Sequence, residues 1–332
     1  MYATAEGTAR YAARYPEFRD AAFYRTVLDL QVSSLGIGTY LGATDEAADR
    51  DYVDALIAAG QGGINFFDAA INYRHQRSER CIGQALRHLQ RDEMVVCTKA
   101  GFLTPGAVPD SLPPDDVVGN MHSMAPDFLS DQIDRSRANL GVDTIDVFYL
   151  HNPETQLGFK AREEFDLRIR RAFVRLEELV LEGKIRWYGA ATWDGFRKPG
   201  QLDLRALARI AAEEAGPDHH FRFIQLPFNL GMVEAFVNRP ESVLTAADEL
   251  GIVAVASATL LQARVIAQMP DAVTELLPGL ATPAQRAIQF TRSTPGIDVA
   301  LVGMGRREHV LENLGIAKVP PAERDQYMRL YQ

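Results

Sequence analysis

Ile64-Asn-Phe-Phe-Asp-Ala-Ala-Ile-Asn-Tyr73 is the stretch on which the fold turns: a short apolar run ends on Asp68, and a phenol, Tyr73, follows five positions later. Two later runs end in the same manner. Met94-Val-Val-Cys-Thr-Lys99 stops on an ammonium, and Ile145-Asp-Val-Phe-Tyr-Leu-His151 stops on an imidazole. A single strand often ends on a polar residue because it has reached solvent. Three apolar strands that deliver Asp, Lys and His in turn, with Tyr73 between them, call for a common cause. In a barrel of parallel strands the C-terminal end is where reacting groups gather. Chemically the four residues make a proton donor with its tuning apparatus. An ammonium lowers the pKa of a nearby phenol, ordinarily ~10. An aspartate keeps that ammonium charged and placed, and a histidine orients an incoming carbonyl or relays a proton.

Working outward, apolar β-rich runs alternate with amphipathic helical stretches, the pattern of a parallel sheet built from βαβ units. Strands are expected at 34–38, 64–67, 94–98, 144–150, 185–190, 221–226, 252–256 and 299–302. A helix is expected over 172–182, and Thr282-Pro283 reads as a helix N-cap followed by proline at the first helical position. The expected fold class is therefore α/β, a (β/α)8 TIM barrel in a single domain over residues 24–332, with residues 1–23 as an N-terminal extension. A chain of 332 residues, 47% of them hydrophobic, is long enough for one such barrel with additions. No apolar run approaches the ~20 residues that cross a bilayer, and the N-terminus lacks a signal-peptide core, so a cytoplasmic protein with no membrane partner is expected. A net charge of -9 without a dense Lys/Arg stripe argues against nucleic acid as a partner. Cys81 and Cys97 are too few for a disulfide framework or a metal site; both read as reduced, buried thiols, and no metal ligand set is expected. The oligomeric state is not legible.

Gly36-Ile-Gly38-Thr-Tyr-Leu-Gly42 follows a strand and superficially suggests a Rossmann phosphate turn. The third glycine is one position late and no acidic residue closes a second strand as that motif requires. The order Asp68, Tyr73, Lys99, His151 instead resembles the active-site tetrad of the aldo-keto reductase superfamily. The resemblance extends from about Val27 to Leu314. It includes Asn65-Phe-Phe-Asp68-Ala-Ala-Ile-Asn-Tyr73, then Ser78-Glu79 and Ile82-Gly83, and later Gly183-Lys-Ile-Arg-Trp-Tyr-Gly189. It implies hydride transfer between a nicotinamide cofactor and a small-molecule carbonyl or sugar.

Under that resemblance Gly38, Thr39 and Tyr40 approach the reacting end of the cofactor. Gln225, in Phe223-Ile-Gln-Leu-Pro-Phe-Asn-Leu, matches the glutamine that binds the nicotinamide carboxamide. Where the family usually has Gly-Val-Ser-Asn-Phe, this chain has Gly189-Ala-Ala191-Thr192-Trp193. One hydroxyl contact is missing, and Thr192 remains to help Gln225. Where many relatives have Tyr-Ser-Pro-Leu, this chain has Ser257-Ala-Thr259-Leu260, so Ser257 and Leu260 are carried over without the stacking tyrosine. Leu301-Val-Gly303-Met-Gly305-Arg306 and the helix that follows resemble the loop that holds the adenosine end. Glu312 and Asn313 stand at the adenine positions, and His309 stands where many relatives place a 2'-phosphate arginine. Arg306 and Arg307 lie in the loop that reaches the ribose, where a guanidinium grips a 2'-phosphate bidentately. The expected cofactor is NADP, with NAD as the alternative. Substrate selection is expected from the loops at the strand ends: the long proline-rich 101–126 segment as a lid, the Asn152-Pro-Glu-Thr-Gln-Leu-Gly-Phe segment as a wall, and Trp193 and Phe228 as aromatic surface or core. Two other functional readings share the tetrad, a sugar or alcohol dehydrogenase running in the oxidative direction and a cofactor-binding regulatory subunit.

Overall fold

The computed structural model describes residues 1–238, 240–267 and 269–331. Helices α1 (Ala5–Ala13) and α2 (Pro16–Asp20) come first, then an antiparallel hairpin of β1 (Tyr24–Val27) and β2 (Leu30–Ser33). Next come β3 (Leu35–Gly38), α3 (Glu46–Gly62), β4 (Phe66–Asp68), α4 (Arg77–Leu86) and β5 (Val95–Ala100). A small hairpin, β6 (Val117–Val118) and β7 (His122–Ser123), precedes α5 (Pro126–Leu140) and β8 (Ile145–His151). The chain continues through α6 (Arg162–Leu181), β9 (Ile185–Ala191), α7 (Leu204–Ala215), β10 (Phe221–Pro227), α8 (Glu234–Val237) and α9 (Val243–Leu250). It ends with β11 (Val253–Ser257), α10 (Asp271–Leu276), α11 (Pro283–Ser293), β12 (Val299–Gly303), α12 (Arg307–Asn313) and α13 (Arg324–Met328).

Strands β3, β4, β5, β8, β9, β10, β11 and β12 close into a barrel in that order, β12 pairing back onto β3, and every neighbouring pair is parallel. This is a (β/α)8 TIM barrel. Two apolar layers hold it. Ile37, Phe67, Val96, Phe148, Leu150, Ile224 and Val302 face outward under the helices, whereas Phe66, Val95, Val147, Tyr149, Phe223, Val255, Val299 and Leu301 fill the interior. Thr282 caps α11 through its side chain, which accepts from Gln285 N, with Pro283 at the first helical position. Helix α6 begins ten residues before the expected 172, at Arg162. Cys81 and Cys97 are both buried and free. Among the described residues, no helix is long and apolar enough to cross a membrane.

The barrel strands fall within one or two residues of the expected positions; the opening hairpin was not foreseen. Its turn holds Leu28 at φ 54 with no glycine and no Asn-Gly pair, so the usual hairpin signal is missing. Val27, Leu30 and Val32 pack with the interior layer, which makes the hairpin a plug for the barrel end opposite the tetrad. Residues before it brace the same end: Ala3 N donates to Asp146, Tyr11 OH donates to Gly60 O, and Arg10 and Arg14 pair with Glu93.

Gly189 carries a packing constraint. The β9–β10 register shifts between Phe221 and Phe223, and a Cβ built at Gly189 would stand 2.1 Å from the Phe223 carbonyl oxygen. Backbone on both sides leaves little room to relax. Gly189→Ala is expected to destabilise the fold by about 3 kcal/mol, read as a lowered denaturation midpoint; an unchanged midpoint would mean that the two strands separate freely.

Candidate active site

Asp68 closes β4, Lys99 lies one residue before the end of β5, and His151 closes β8, so the barrel sets all three at its C-terminal rim. Lys99 Nζ donates to Asp68 Oδ1 at 2.6 Å and to the Ala69 carbonyl at 2.7 Å, and the ammonium is fully buried. Burial opposes its charge, but Asp68 and Tyr73 outweigh that, and the Lys99 pKa lies above the ordinary value. Gln225 Nε2 donates to the other carboxylate oxygen of Asp68 at 2.9 Å. Asp68 therefore has a donor on each oxygen.

Tyr73 lies over this pair, with Lys99 Nζ 4.8 Å from the ring centroid and the His151 ring edge-on at 5.6 Å. Sequence reasoning had Lys99 bring the phenol pKa down. The net shift is upward, because burial raises it more than Lys99 lowers it. His151 is held neutral: burial, then Lys99 and His122, push its pKa well below the ordinary value.

Tyr73 is placed by a loop that composition does not announce. Arg74, His75 and Gln76 all have positive φ, at 49, 53 and 69, with no glycine among them. Such backbone persists only where its surroundings over-determine it. Here the buried Arg74 guanidinium donates to Ala43 O at 2.9 Å, pairs with Asp49 at 2.5 Å and lies over the Tyr52 ring.

One cavity of about 940 Å³ joins the tetrad to a long groove. At its reacting end stand Tyr40, Asn72, Tyr73, Phe102, His151, Asn152 and Trp193; Gly38, Thr39, Asp68, Thr192, Gln225, Ser257 and Leu260 continue it, and Gly303, His309, Glu312 and Asn313 line its far end. Lys99, fully buried against Asp68, is not in the lining, and neither are two of the expected cofactor residues. Gly305 packs toward Tyr52, whose ring would lie 3.0 Å from a Cβ there, and Arg306 is exposed at the start of α12, outside the lining. Arg307 leans toward Asp54 at 3.5 Å. Phe228 is core, stacked on Phe290, whereas Trp193 lines the mouth.

Three features escaped sequence reasoning. Leu261, Gln262 and Ala263 line the groove in a left-handed run, φ 43, 54 and 66, again without glycine. Glu154 Oε1 accepts from the backbone N–H groups of Trp193, Asp194 and Gly195 at 2.8, 3.0 and 3.1 Å, which fixes the loop that presents Trp193. The signal available was only that Glu154 follows His151 in a segment read as a wall. The two ends of the 101–126 segment are tied together: Leu103 N donates to Met121 O, Ser123 N donates to Gly101 O, and His122 is fully buried.

The groove fits an extended polar ligand. Asn72 Oδ1, Thr259 Oγ1 and Asn313 Oδ1 are buried without partners among the described residues, and all three residues line it. Buried polar atoms are ordinarily bonded, so these mark where ligand donors belong. A side chain at Gly303 would project into open space. A dinucleotide laid along the groove would meet Asn313 at one end and Gln225 and Thr192 near the tetrad.

The aldo/keto reductase family model matches residues 34–264. The NADH-specific methylglyoxal reductase of Escherichia coli (strain K12) is 29% identical over 188 residues, 53% of this chain and 55% of that protein. The D-threo-aldose 1-dehydrogenase of a Pseudomonas species is 33% identical over 171 residues, 48% of this chain and 50% of that protein. The chain thus spans about half the length of these curated relatives. An aldo/keto reductase from Klebsiella pneumoniae, solved in complex with NADP and acetate, shares the fold with a TM-score of 0.67 at 22% identity, over 92% of this chain and 93% of that one.

Proposed function

The chain belongs to the aldo/keto reductase family, and from that premise we propose that it reduces a small-molecule aldehyde or ketone to an alcohol with NADP(H), Tyr73 giving the proton. The observation that carries the reading is the buried Asp68–Lys99 pair beneath Tyr73, with neutral His151 edge-on to the phenol, at one end of a cavity of about 940 Å³ that runs on to Glu312 and Asn313. A bound reduced nicotinamide would supply the hydride. Gln225 and Thr192 would hold its carboxamide end, and Glu312 and Asn313 the adenosine end. His151 directs the carbonyl oxygen toward Tyr73 Oη, and Tyr73 releases its proton to the oxygen as charge develops there. Lys99 stabilises the phenolate left behind, Asp68 keeps Lys99 charged, and Gln225 keeps Asp68 in place. A preorganised donor at a developing oxyanion contributes about 3–4 kcal/mol in comparable sites.

A second cofactor reading has a specific observation behind it. Glu312 lines the adenosine end, while Arg307 is drawn toward Asp54 and Arg306 stands outside the lining. A carboxylate at this end of the groove, with neither guanidinium in the lining, disfavours a 2'-phosphate and so favours NAD(H). Fluorescence titration with NADPH and NADH, followed by an aldehyde panel that includes methylglyoxal and aldoses, separates these readings. Tight NADPH binding with oxidation on adding an aldehyde is the expected result. Preferential NADH binding would select the second reading, and turnover only with oxidised cofactor and an aldose would replace reduction by dehydrogenation. Binding of neither nucleotide would overturn both.

A further inference from the structure

Next to the tetrad lies a second buried histidine that the proposed chemistry does not use. His122 comes from β7, inside the long insertion, and reaches the catalytic rim from outside the barrel ladder. The β5–β8 pairing ends at Ala100 opposite Leu150. Just past it, His122 Nε2 stands 2.8 Å from the His151 carbonyl oxygen. A carbonyl only accepts, so Nε2 carries the proton. In a neutral ring Nδ1 must then accept, and Gln156 Nε2 stands 3.2 Å from it. The His151 carbonyl thus fixes the tautomer of His122, and the amide orientation of Gln156 follows from it. Phe102 fills the angle between the two imidazoles, edge-on to His122 at 5.2 Å and to His151 at 5.1 Å. Burial agrees with a neutral ring, pushing the His122 pKa down to about 4.

The neighbouring backbone is cut to fit. A Cβ at Gly101 would lie 2.5 Å from the His151 carbonyl oxygen and 2.6 Å from His122 Nε2. Only glycine leaves room for that hydrogen bond. Beyond His151 the chain turns at once, with Asn152 at φ 49 and Asn152 N donating to Ala191 O. The His151 carbonyl is therefore the last fixed point before a strained turn. The His151 ring meets Phe102 on one side and Tyr73 on another, and its Nδ1 is buried without a partner among the described residues. Ring orientation accordingly depends on packing and on where the backbone is pinned.

We infer that His122, protonated on Nε2 toward the His151 carbonyl and met on Nδ1 by Gln156, is a positioning residue that anchors the backbone of His151 and so aims the catalytic imidazole, making the 101–126 insertion a brace for the tetrad. The inference rests on the carbonyl-reductase reading for its kinetic consequence but not for its geometry. Three variants of the full chain test it. His122→Phe keeps a ring and removes the donor, His122→Gln returns an N–H at similar reach, and Gly101→Ala wedges a methyl group into the bond.

Misplacing a catalytic group by a fraction of an ångström costs about tenfold or more in rate, so kcat/KM for the carbonyl should fall by that factor in His122→Phe and Gly101→Ala. NADPH affinity should not change. The isotope effect with deuterated reduced cofactor should rise, because the chemical step has been slowed, and His122→Gln should recover most of the rate. Wild-type kinetics in His122→Phe would overturn the inference. So would a loss with an unchanged isotope effect that His122→Gln does not repair, since that is the signature of less folded protein. Histidine ¹⁵N spectra of the wild-type protein decide the anchor without turnover. A neutral, Nε2-protonated His122 at neutral pH is expected, and an Nδ1-protonated or charged ring would sink it. A wild-type protein that reduces no carbonyl would instead remove the functional reading and leave the ¹⁵N result to judge the anchor.

Discussion

Tyr73→Phe is expected to lower carbonyl-reduction turnover by about 10²–10⁴-fold, the usual worth of a positioned general acid, while NADPH affinity stays at the wild-type value. The ring keeps its contacts with Tyr40 and His151 and stays over Lys99, so only the transferable proton is lost. Stopped-flow reduction and nucleotide titration of the same preparation check the two halves. A variant that loses nucleotide affinity would show that the phenol holds cofactor rather than protonating substrate. The pH dependence follows from the same group. Burial lifts the Tyr73 pKa, with Lys99 opposing, so the phenol stays protonated through neutral pH and reduction should be flat there. It should decline only as pH rises through the Tyr73 pKa. Oxidation needs the phenolate and should climb over that same alkaline range. A reduction rate that falls between mildly acid and neutral pH would point to another proton donor. The lifted pKa thus favours reduction over the reverse reaction near neutrality.

The barrel, and the gathering of Asp68, Tyr73, Lys99 and His151 at one rim, were legible because each rests on a local pattern. An apolar run of strand length ending on a reactive residue is visible in one dimension, and parallel strands of a barrel put their C-terminal ends on one rim. The hairpin at 24–33, the left-handed runs at 74–76 and 261–263 and the Glu154 cradle were not legible. Each depends on tertiary partners that hold ordinary residues in conformations usually left to glycine, or on donors forty residues away. Arg74 illustrates the point. In sequence it is one more arginine; in the fold it ties the loop carrying Tyr73 to α3 through Asp49 and Tyr52. Gly305 and Arg306 fail for the converse reason. The motif around them survives, but a Cβ at Gly305 would meet Tyr52, and neither residue joins the lining that includes Gly303 and Asn313. His122 was not legible either: in sequence it is one residue of a long proline-rich segment, and only the structure shows it bonded to the His151 backbone.

Lys99→Met should both abolish efficient reduction and weaken the fold, and the two losses can be separated. The side chain is fully buried, and removing it leaves the Asp68 carboxylate with the Gln225 amide as its remaining side-chain donor. Taking away one partner of a buried ion pair costs about 3–5 kcal/mol, mostly because the surviving charge is stranded. In the variant, burial unopposed by Lys99 would raise the folded-state pKa of Asp68 further above its unfolded value. Its stability should therefore improve as pH falls through that raised value, with the penalty largest at high pH. Replacing the carboxylate as well, in Lys99→Met with Asp68→Asn, removes the stranded charge, and the denaturation midpoint should return most of the way to wild type. Turnover should not return, because neither variant has a cation to stabilise the phenolate. Equal midpoints for the single variant and the wild type would mean that the pair is energetically idle. Recovery of reduction in the double variant would show that the ammonium serves only to balance Asp68, leaving Tyr73 to act without it.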